Sequence, residues 1–275
     1  MVLDCHIHME DKMDPPQVFA QKLNQAGVDG GIVFSNYPAS FFNGKAEKGN
    51  AQQRLQQVLD FTKNMPLCFP FFFIDPMEDD ALDQVDQAVA SGIAGFKAIC
   101  CHHYPQDDRA MKVWERIASY KKPLLLHSGI LYNNSPSAEY NRPANFEHLF
   151  YIDGLRFAMA HISWPWVDEL IAVFGKWHSL HRNKDSHMTA ELFVDMTPGT
   201  PPIYREEALT KLLTVGYALL PERLMFGTDS CSVYASESSA WKVERDRAIY
   251  QRLGISEPIQ NAIFADNLKH FVGLE

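Results

Sequence analysis

The sequence predicts a parallel (β/α)8 barrel, and three observations carry that expectation. Short apolar runs recur at intervals of roughly 30 to 40 residues, each followed by a helix-like stretch, as β-α units require. Eight such units fill the 275 residues, and α/β barrels occupy about 250 residues as one domain. No glycine-rich dinucleotide fingerprint follows any of the runs, which disfavours an open, doubly wound sheet. The expected organisation is therefore one barrel domain over residues 1–275.

Taken in order, the predicted strands are residues 2–8, 31–35, 67–75, 95–101, 123–128, 156–163, 192–197 and 223–230. Leu124-Leu125-Leu126 and Phe71-Phe72-Phe73-Ile74 are continuously apolar, as strands covered on both faces should be. Between the runs, apolar residues return at helical spacing. They are Leu55, Val58 and Leu59; Leu82, Val85 and Val89; Val113 and Ile117; Val167, Leu170, Ile171 and Phe174; and Leu209, Leu212 and Leu213. Residues 131–145 and 177–190 are the longest stretches without periodicity, and the first lies where a barrel carries its active-site loops. Residues 257–275, with Ile259, Ile263 and Leu268 apolar, read as a closing helical region.

With 46% hydrophobic and 21% charged residues, the chain has the composition of an ordinary globular protein. Its net charge of -9, with no run of Lys or Arg, would repel a phosphate backbone, so nucleic acid is not an expected partner. Cysteines 5, 68, 100, 101 and 231 lack metal-knuckle spacing, and their odd number argues against a disulfide framework. A reducing cytoplasm is the expected compartment. Residues 67–74 are too short to span a bilayer and include Pro70, and the N-terminus lacks the basic start and apolar run of a secretory signal. No membrane partner is expected; the expected partner is a small-molecule substrate. Barrel helices can support a homo-oligomer, although no self-complementary stripe marks one.

The chemistry gathers at the strand ends. His6 and His8 are two apart, so in a strand they share a face, and at the carboxyl end of strand 1 that face can be the barrel mouth. Alone, this pair is a weak signal. His127, His161 and Asp229 each end an apolar run at the same end of its strand, and those ends surround one pocket in a barrel. Three imidazoles and a carboxylate suit zinc, or manganese or another divalent ion, with a position left for water. Such an ion lowers the pKa of bound water from about 15.7 toward about 7. Asp229 could then accept its proton, and His161 could hydrogen-bond the substrate carbonyl or the attacking water.

The start Asp4-x-His6-x-His8, together with Leu126-His127-Ser128-Gly129, Ala160-His161 and Phe226-Gly227-Thr228-Asp229-Ser230, resembles the amidohydrolase superfamily. The similarity is to its amidohydrolase-related branch and covers nearly the whole chain; residues 263–274, with Asn267 and Phe271, resemble that branch's terminal helix. The branch includes lactonases, other hydrolases and decarboxylases of the aminocarboxymuconate semialdehyde type. The resemblance implies a (β/α)8 hydrolase in which His6, His8, His127 and Asp229 bind the metal and His161 is the catalytic imidazole. The implied substrate is a small lactone, ester or amide, carboxylated in the leading reading, with metal-dependent decarboxylation the alternative. Deaminases of the superfamily carry a glutamate three residues after the strand 5 histidine, where Ile130 stands here. Related nucleases carry a metal-binding glutamate on strand 4, where Lys97 stands.

Four further residues are candidate substrate contacts. Lys97 either donates to a substrate carboxylate or, as in some superfamily members, becomes carbamylated between two metals. Arg142 either clamps a carboxylate or forms a surface ion pair. His103 follows strand 4, with His102 beside it, and Trp164 is either a pocket wall or helix packing. Asp4 either orients an imidazole or is a hydrogen-bonded strand residue, and Asp195 reads first as a partner of neighbouring backbone. His178, His181 and His187 read as surface residues.

Overall fold

In the computed structural model, which describes residues 1–42, 49–132, 136–183 and 185–274, all eight predicted runs contribute to one parallel sheet. The elements are β1 (Leu3–His8), α1 (Pro16–Gln25), β2 (Gly30–Phe34), α2 (Ala51–Thr62), β3 (Cys68–Phe73), α3 (Ala81–Ala90), β4 (Gly95–Ala98), α4 (Asp108–Ser119) and β5 (Leu124–Leu126). They continue with β6 (Arg156–Met159), α5 (Val167–Arg182), β7 (Glu191–Asp195), α6 (Pro202–Thr214), β8 (Leu224–Met225), β9 (Ser230–Cys231), α7 (Ser236–Arg252), α8 (Glu257–Asn261) and α9 (Asn267–Val272). Between β5 and β6 the helical layer is supplied by 3-10 turns, Ala138–Asn141 and Pro143–Tyr151.

The eighth strand position is split, and the split closes the barrel. β8 pairs with β7, whereas β9, four residues further on, pairs with β1. The Cys5 amide donates to the Phe226 carbonyl at 2.9 Å between the two pieces. Gly227 sits at the crossing because a Cβ there would lie 2.4 Å from the Thr197 methyl and 2.8 Å from the Cys5 sulfur.

Two apolar layers follow from strands covered on both faces. Leu3, Cys5, Ile32, Phe34, Leu125 and Phe193 fill the barrel interior, and a larger cluster lies between sheet and helices. The predicted closing region is the floor: Leu268 and Phe271 of α9 enter the interior cluster, with Phe271 packed against the rings of Phe193 and Phe71. Asn267 fastens α9 by donating to the carbonyls of Leu224 and Pro221. The site is thus confined to the opposite, carboxyl end of the strands.

The helical layer departs from expectation in three places. α1 and α7 arise where no apolar periodicity predicts them. α7 buries Ser239 and Asp246 beside Val243, Ile249 and Tyr250, so its inward face is partly polar. Its Asp246 accepts a buried pair of hydrogen bonds from Arg205 of α6, at 2.7 and 3.2 Å. Residues 177–182, expected to be irregular, are the last turns of α5, because Trp177 is buried and donates to the Ala190 carbonyl. The surface reading of His178 is corrected by the same extension: the ring is buried near Tyr217.

Candidate active site

A bulge in β1 sets the orientation of the first two histidines. Leu3 and Asp4 pair with Gly30 and Gly31, then Ile7 and His8 pair with Val33 and Phe34, so β1 uses one residue more than β2. Faces reverse across such a bulge: Cys5 lies in the barrel interior, while Ile7, two residues on, belongs to the outer layer. The strict alternation that put Asp4 on the face of His6 and His8 therefore fails. Asp4 accepts from the Thr228 amide at 2.9 Å, the Thr228 hydroxyl at 2.5 Å, the Tyr234 hydroxyl at 3.0 Å and the His6 amide at 3.0 Å. It fastens β1 to the β8–β9 segment and orients no imidazole. Burial pushes its carboxyl up to about 6 against the pull of these donors.

The partner of His6 is Asp195 at the end of β7, whose Oδ2 lies 2.5 Å from His6 Nδ1, while its Oδ1 accepts from the Thr197 amide at 2.7 Å. A neutral ring donating from Nδ1 presents its Nε2 lone pair on the other side. That nitrogen is 3.0 Å from His8 Nε2 and 3.5 Å from Asp229 Oδ1, and His8 Nε2 is 3.8 Å from the same oxygen. Ligands about 2.0–2.2 Å from a tetrahedral ion stand about 3.3–3.6 Å from each other. The sides of the triangle of His6, His8 and Asp229, 3.0, 3.5 and 3.8 Å, bracket that separation.

Electrostatics keep these groups in ligand form. Burial lowers the His6 ring well below its usual range, assisted by Lys97. Burial brings His8 to about 3 despite Asp229, and it depresses His127 with help from His161 and Lys97. Burial opposes ionisation of Asp229, but His6, His161 and His8 outweigh it and hold the carboxyl at about 2.

His127 and His161, at the ends of β5 and β6, have ring centroids 4.8 Å apart, and His161 lies 4.9 Å from His6. His6, His161 and Asp229 each bring a ligand atom within 4.8 Å of the others. The two loops are joined by the hydroxyls of Ser128 and Ser163 at 2.7 Å and by the Ile130 amide donating to the Trp164 carbonyl at 2.8 Å. Gly129 permits this approach, with φ of 100° and room for no Cβ, which would lie 2.4 Å from the Trp164 oxygen. His161, Ile162, Ser163 and Asp229 are non-glycine residues with φ between 49° and 61°, a conformation costing about 1–3 kcal/mol each and concentrated at functional sites. Thr197 Oγ1 is 2.9 Å from His161 Nδ1 and fixes the ring. His127 Nε2 and His8 Nδ1 are buried without a hydrogen-bond partner among the described residues. An orphaned imidazole nitrogen beside a preformed donor triangle is what a divalent cation would satisfy, so the residues fit the group that the sequence suggests.

The cavity above this cluster has a volume of about 450 Å³. Its polar lining includes His8, Glu10, His127, His161, Asp229 and Ser230, and Trp164, expected as a substrate contact, is in its wall. Sequence reasoning missed Tyr37 and Phe41, which continue the wall as a stack on His8, with centroid separations of 5.2 and 4.7 Å. Tyr37 follows β2, so its strand-end position was the available signal.

The other expected substrate contacts lie elsewhere. Arg142 donates to Glu169 and covers the Trp166 ring outside the cavity, which realises its ion-pair alternative; a better-matched carboxylate on α5 captures it. Lys97 is wholly buried beneath the histidines, its ammonium 5.1 Å from the Phe34 centroid and unpartnered among the described residues. Burial lowers it to about 8. His103 is also outside the cavity lining, buried beside His102 and Asp75.

Comparison with known proteins bears on the fold and the family. The family described as amidohydrolase matches residues 3–274. Among solved structures, a candidate 2-pyrone-4,6-dicarboxylic acid hydrolase from Pseudomonas putida is similar at 16% identity and a TM-score of 0.62, covering 100% of this chain and 98% of that one. A probable enzyme of the same name from Acinetobacter baumannii, solved with citric acid bound, is similar at 13% identity and a TM-score of 0.59, covering 99% of both chains. An amidohydrolase 2 protein from Bifidobacterium longum subsp. infantis reaches a TM-score of 0.58 at 13% identity, covering 100% of this chain and 99% of that one. Comparison with curated proteins produced no match. At these identities the structural likeness speaks for the barrel, and the family match over nearly the full length identifies the chain as a member of the amidohydrolase family, a hydrolase.

Proposed function

We propose that this chain is a metal-dependent hydrolase of a small lactone, ester or amide, with His6, His8, His127 and Asp229 holding a divalent ion, zinc in the first instance. The observation that carries the reading is the triangle of His6 Nε2, His8 Nε2 and Asp229 Oδ1, with sides of 3.0, 3.5 and 3.8 Å, at the base of a cavity of about 450 Å³. Bound there, a divalent ion would supply a nucleophilic water near neutral pH and polarise the substrate carbonyl.

The remaining chemistry belongs to the side chains. Asp229, held ionised, accepts the proton of the attacking water and returns it to the departing alkoxide or amine. His161, held through Nδ1 by the Thr197 hydroxyl at 2.9 Å, would in the tautomer with Nδ1 as acceptor present Nε2–H to the carbonyl oxygen as negative charge develops there. Tyr37, Phe41 and Trp164 shelter the body of the substrate. The carboxylate expected on the substrate meets neither Arg nor Lys among the described residues lining the cavity, since Arg142 is held by Glu169 and Lys97 lies beneath. The names of two structural neighbours specify a dicarboxylic acid.

The test is a substrate screen that follows acid release and carbon dioxide separately, on protein as purified, stripped by chelation and reloaded. Hydrolysis that disappears on stripping, returns with Zn2+ or Mn2+ and falls by about 10²–10⁴-fold in Asp229→Asn is expected. Carbon dioxide release without hydrolysis would move the assignment to decarboxylation. Full hydrolysis by the stripped protein would exclude the metal role.

A further inference from the structure

A second group of metal-ligating side chains lies outside the catalytic cavity, where the chain leaves β3 and β4. Asp75, His102 and His103 each offer a ligand atom, and these atoms lie within 4.8 Å of one another. Asp75 Oδ2 is 3.4 Å from His102 Nε2, the separation of two ligands on a tetrahedral ion with bonds of about 2.0–2.2 Å. The other Asp75 oxygen accepts from the Met77 amide at 2.9 Å, which fixes the carboxylate.

An ion pair between Asp75 and His102 would explain those two residues but leave His103 unexplained. His103 is 2% exposed, and both ring nitrogens are buried without a hydrogen-bond partner among the described residues. Burying a polar group without a partner is costly and uncommon in folded proteins. Its ring stands edge-on to that of His102, centroids 5.1 Å apart, so both can present a nitrogen toward Asp75. His102 is 43% exposed and leaves the cluster open to solvent for entry and for a completing water.

We propose that Asp75, His102 and His103 form a second divalent-metal site, of a chemistry suited to Zn2+, distinct from the catalytic cluster. Two imidazoles, one carboxylate and an open position are a recurrent zinc donor set. No residue is shared with the first site. Phe41 and Ile99 wall both the catalytic cavity and the small cleft that contains Asp75 and Cys101. An ion here joins the segments following β3 and β4 behind that common wall and stiffens it.

Zn2+ stoichiometry of the full chain, stripped and reloaded, with affinity measured by chelator competition, tests the site. Two equivalents are expected for the wild type. His103→Ala and Asp75→Asn should each weaken one equivalent by about 100-fold or more, while His8→Ala weakens the other. His102→Ala, at a half-exposed position, serves should His103→Ala fail to fold. Retention by both His102→Ala and Asp75→Asn of the full wild-type complement at wild-type affinity overturns the proposal, whatever that complement is. Loss confined to His8→Ala counts against this second site alone and leaves the catalytic reading standing.

Discussion

Asp195 stands behind His6 as a carboxylate 2.5 Å from Nδ1, and this pair governs how strongly Nε2 can bind a cation. Asp195→Asn keeps the shape and an acceptor but removes the charge. Metal affinity should fall by about 10–100-fold with little change in unfolding midpoint, as chelator competition and thermal melts would show. The depressed imidazoles predict a second property. An ordinary histidine near pKa 6.5 binds a proton when unfolded, whereas folded His8 does so only near 3. Between those values the unfolded chain holds more protons, so the metal-free fold gains stability as pH rises through this window. Metal affinity should vary little from pH 6.5 down to 5. A tenfold or greater loss per imidazole over that interval would contradict the burial argument. His127, His161 and Asp229 were legible because each ends an apolar run, and His6 and His8 because they stand two apart in one strand. The roles of Asp4 and Asp195 were not, since a bulge inside a six-residue strand leaves no mark in the apolar pattern.

The segments after β5 and β6 act together, because their hydrogen bonds to each other hold His127 beside His161. Gly129→Ala places a methyl against the Trp164 carbonyl and demands an unfavourable φ of 100°. A loss of about 2 kcal/mol or more is expected in urea unfolding, with activity lost at temperatures where the variant remains folded. In the helical layer, Arg205 of α6 and Asp246 of α7 are a fully buried pair. Asp246→Ala leaves the guanidinium uncompensated beside Arg245 and should cost about 3–5 kcal/mol by the same measurement. α7 escaped detection for the reason that makes it sensitive: part of its inward face is this ion pair. α2 to α6 could be read because their inward faces carry apolar residues at intervals of three and four.

The barrel divides its duties between ends. α9 seals the amino end with Phe271 in the interior cluster, and the carboxyl end holds the histidines under the open cavity. Phe271→Ala should therefore cost about 3–5 kcal/mol in denaturant unfolding while leaving turnover per folded molecule nearly unchanged at low temperature. A parallel loss of turnover and fold stability at 5–10 °C would show that the two ends are coupled.

Periodicity along the chain was sufficient for the eight strand positions, for helices α2 to α6 and for the end at which the ligands collect, because each of these depends on local spacing and on burial. Partner choice depended on tertiary structure. Arg142 met Glu169 instead of the cavity, Lys97 was enclosed beneath the histidines, and His103 was buried near Asp75 and His102 without a hydrogen-bond partner among the described residues. The long side chain of Arg142 settled on the opposite charge within its reach in space. Strand closure through the split of β8 and β9, and the reversal of faces in β1, set those distances. His6 and His8 thus began as two residues of suitable spacing, and the fold supplied the carboxylates on either side: Asp195 behind the ring of His6 and Asp229 facing both lone pairs.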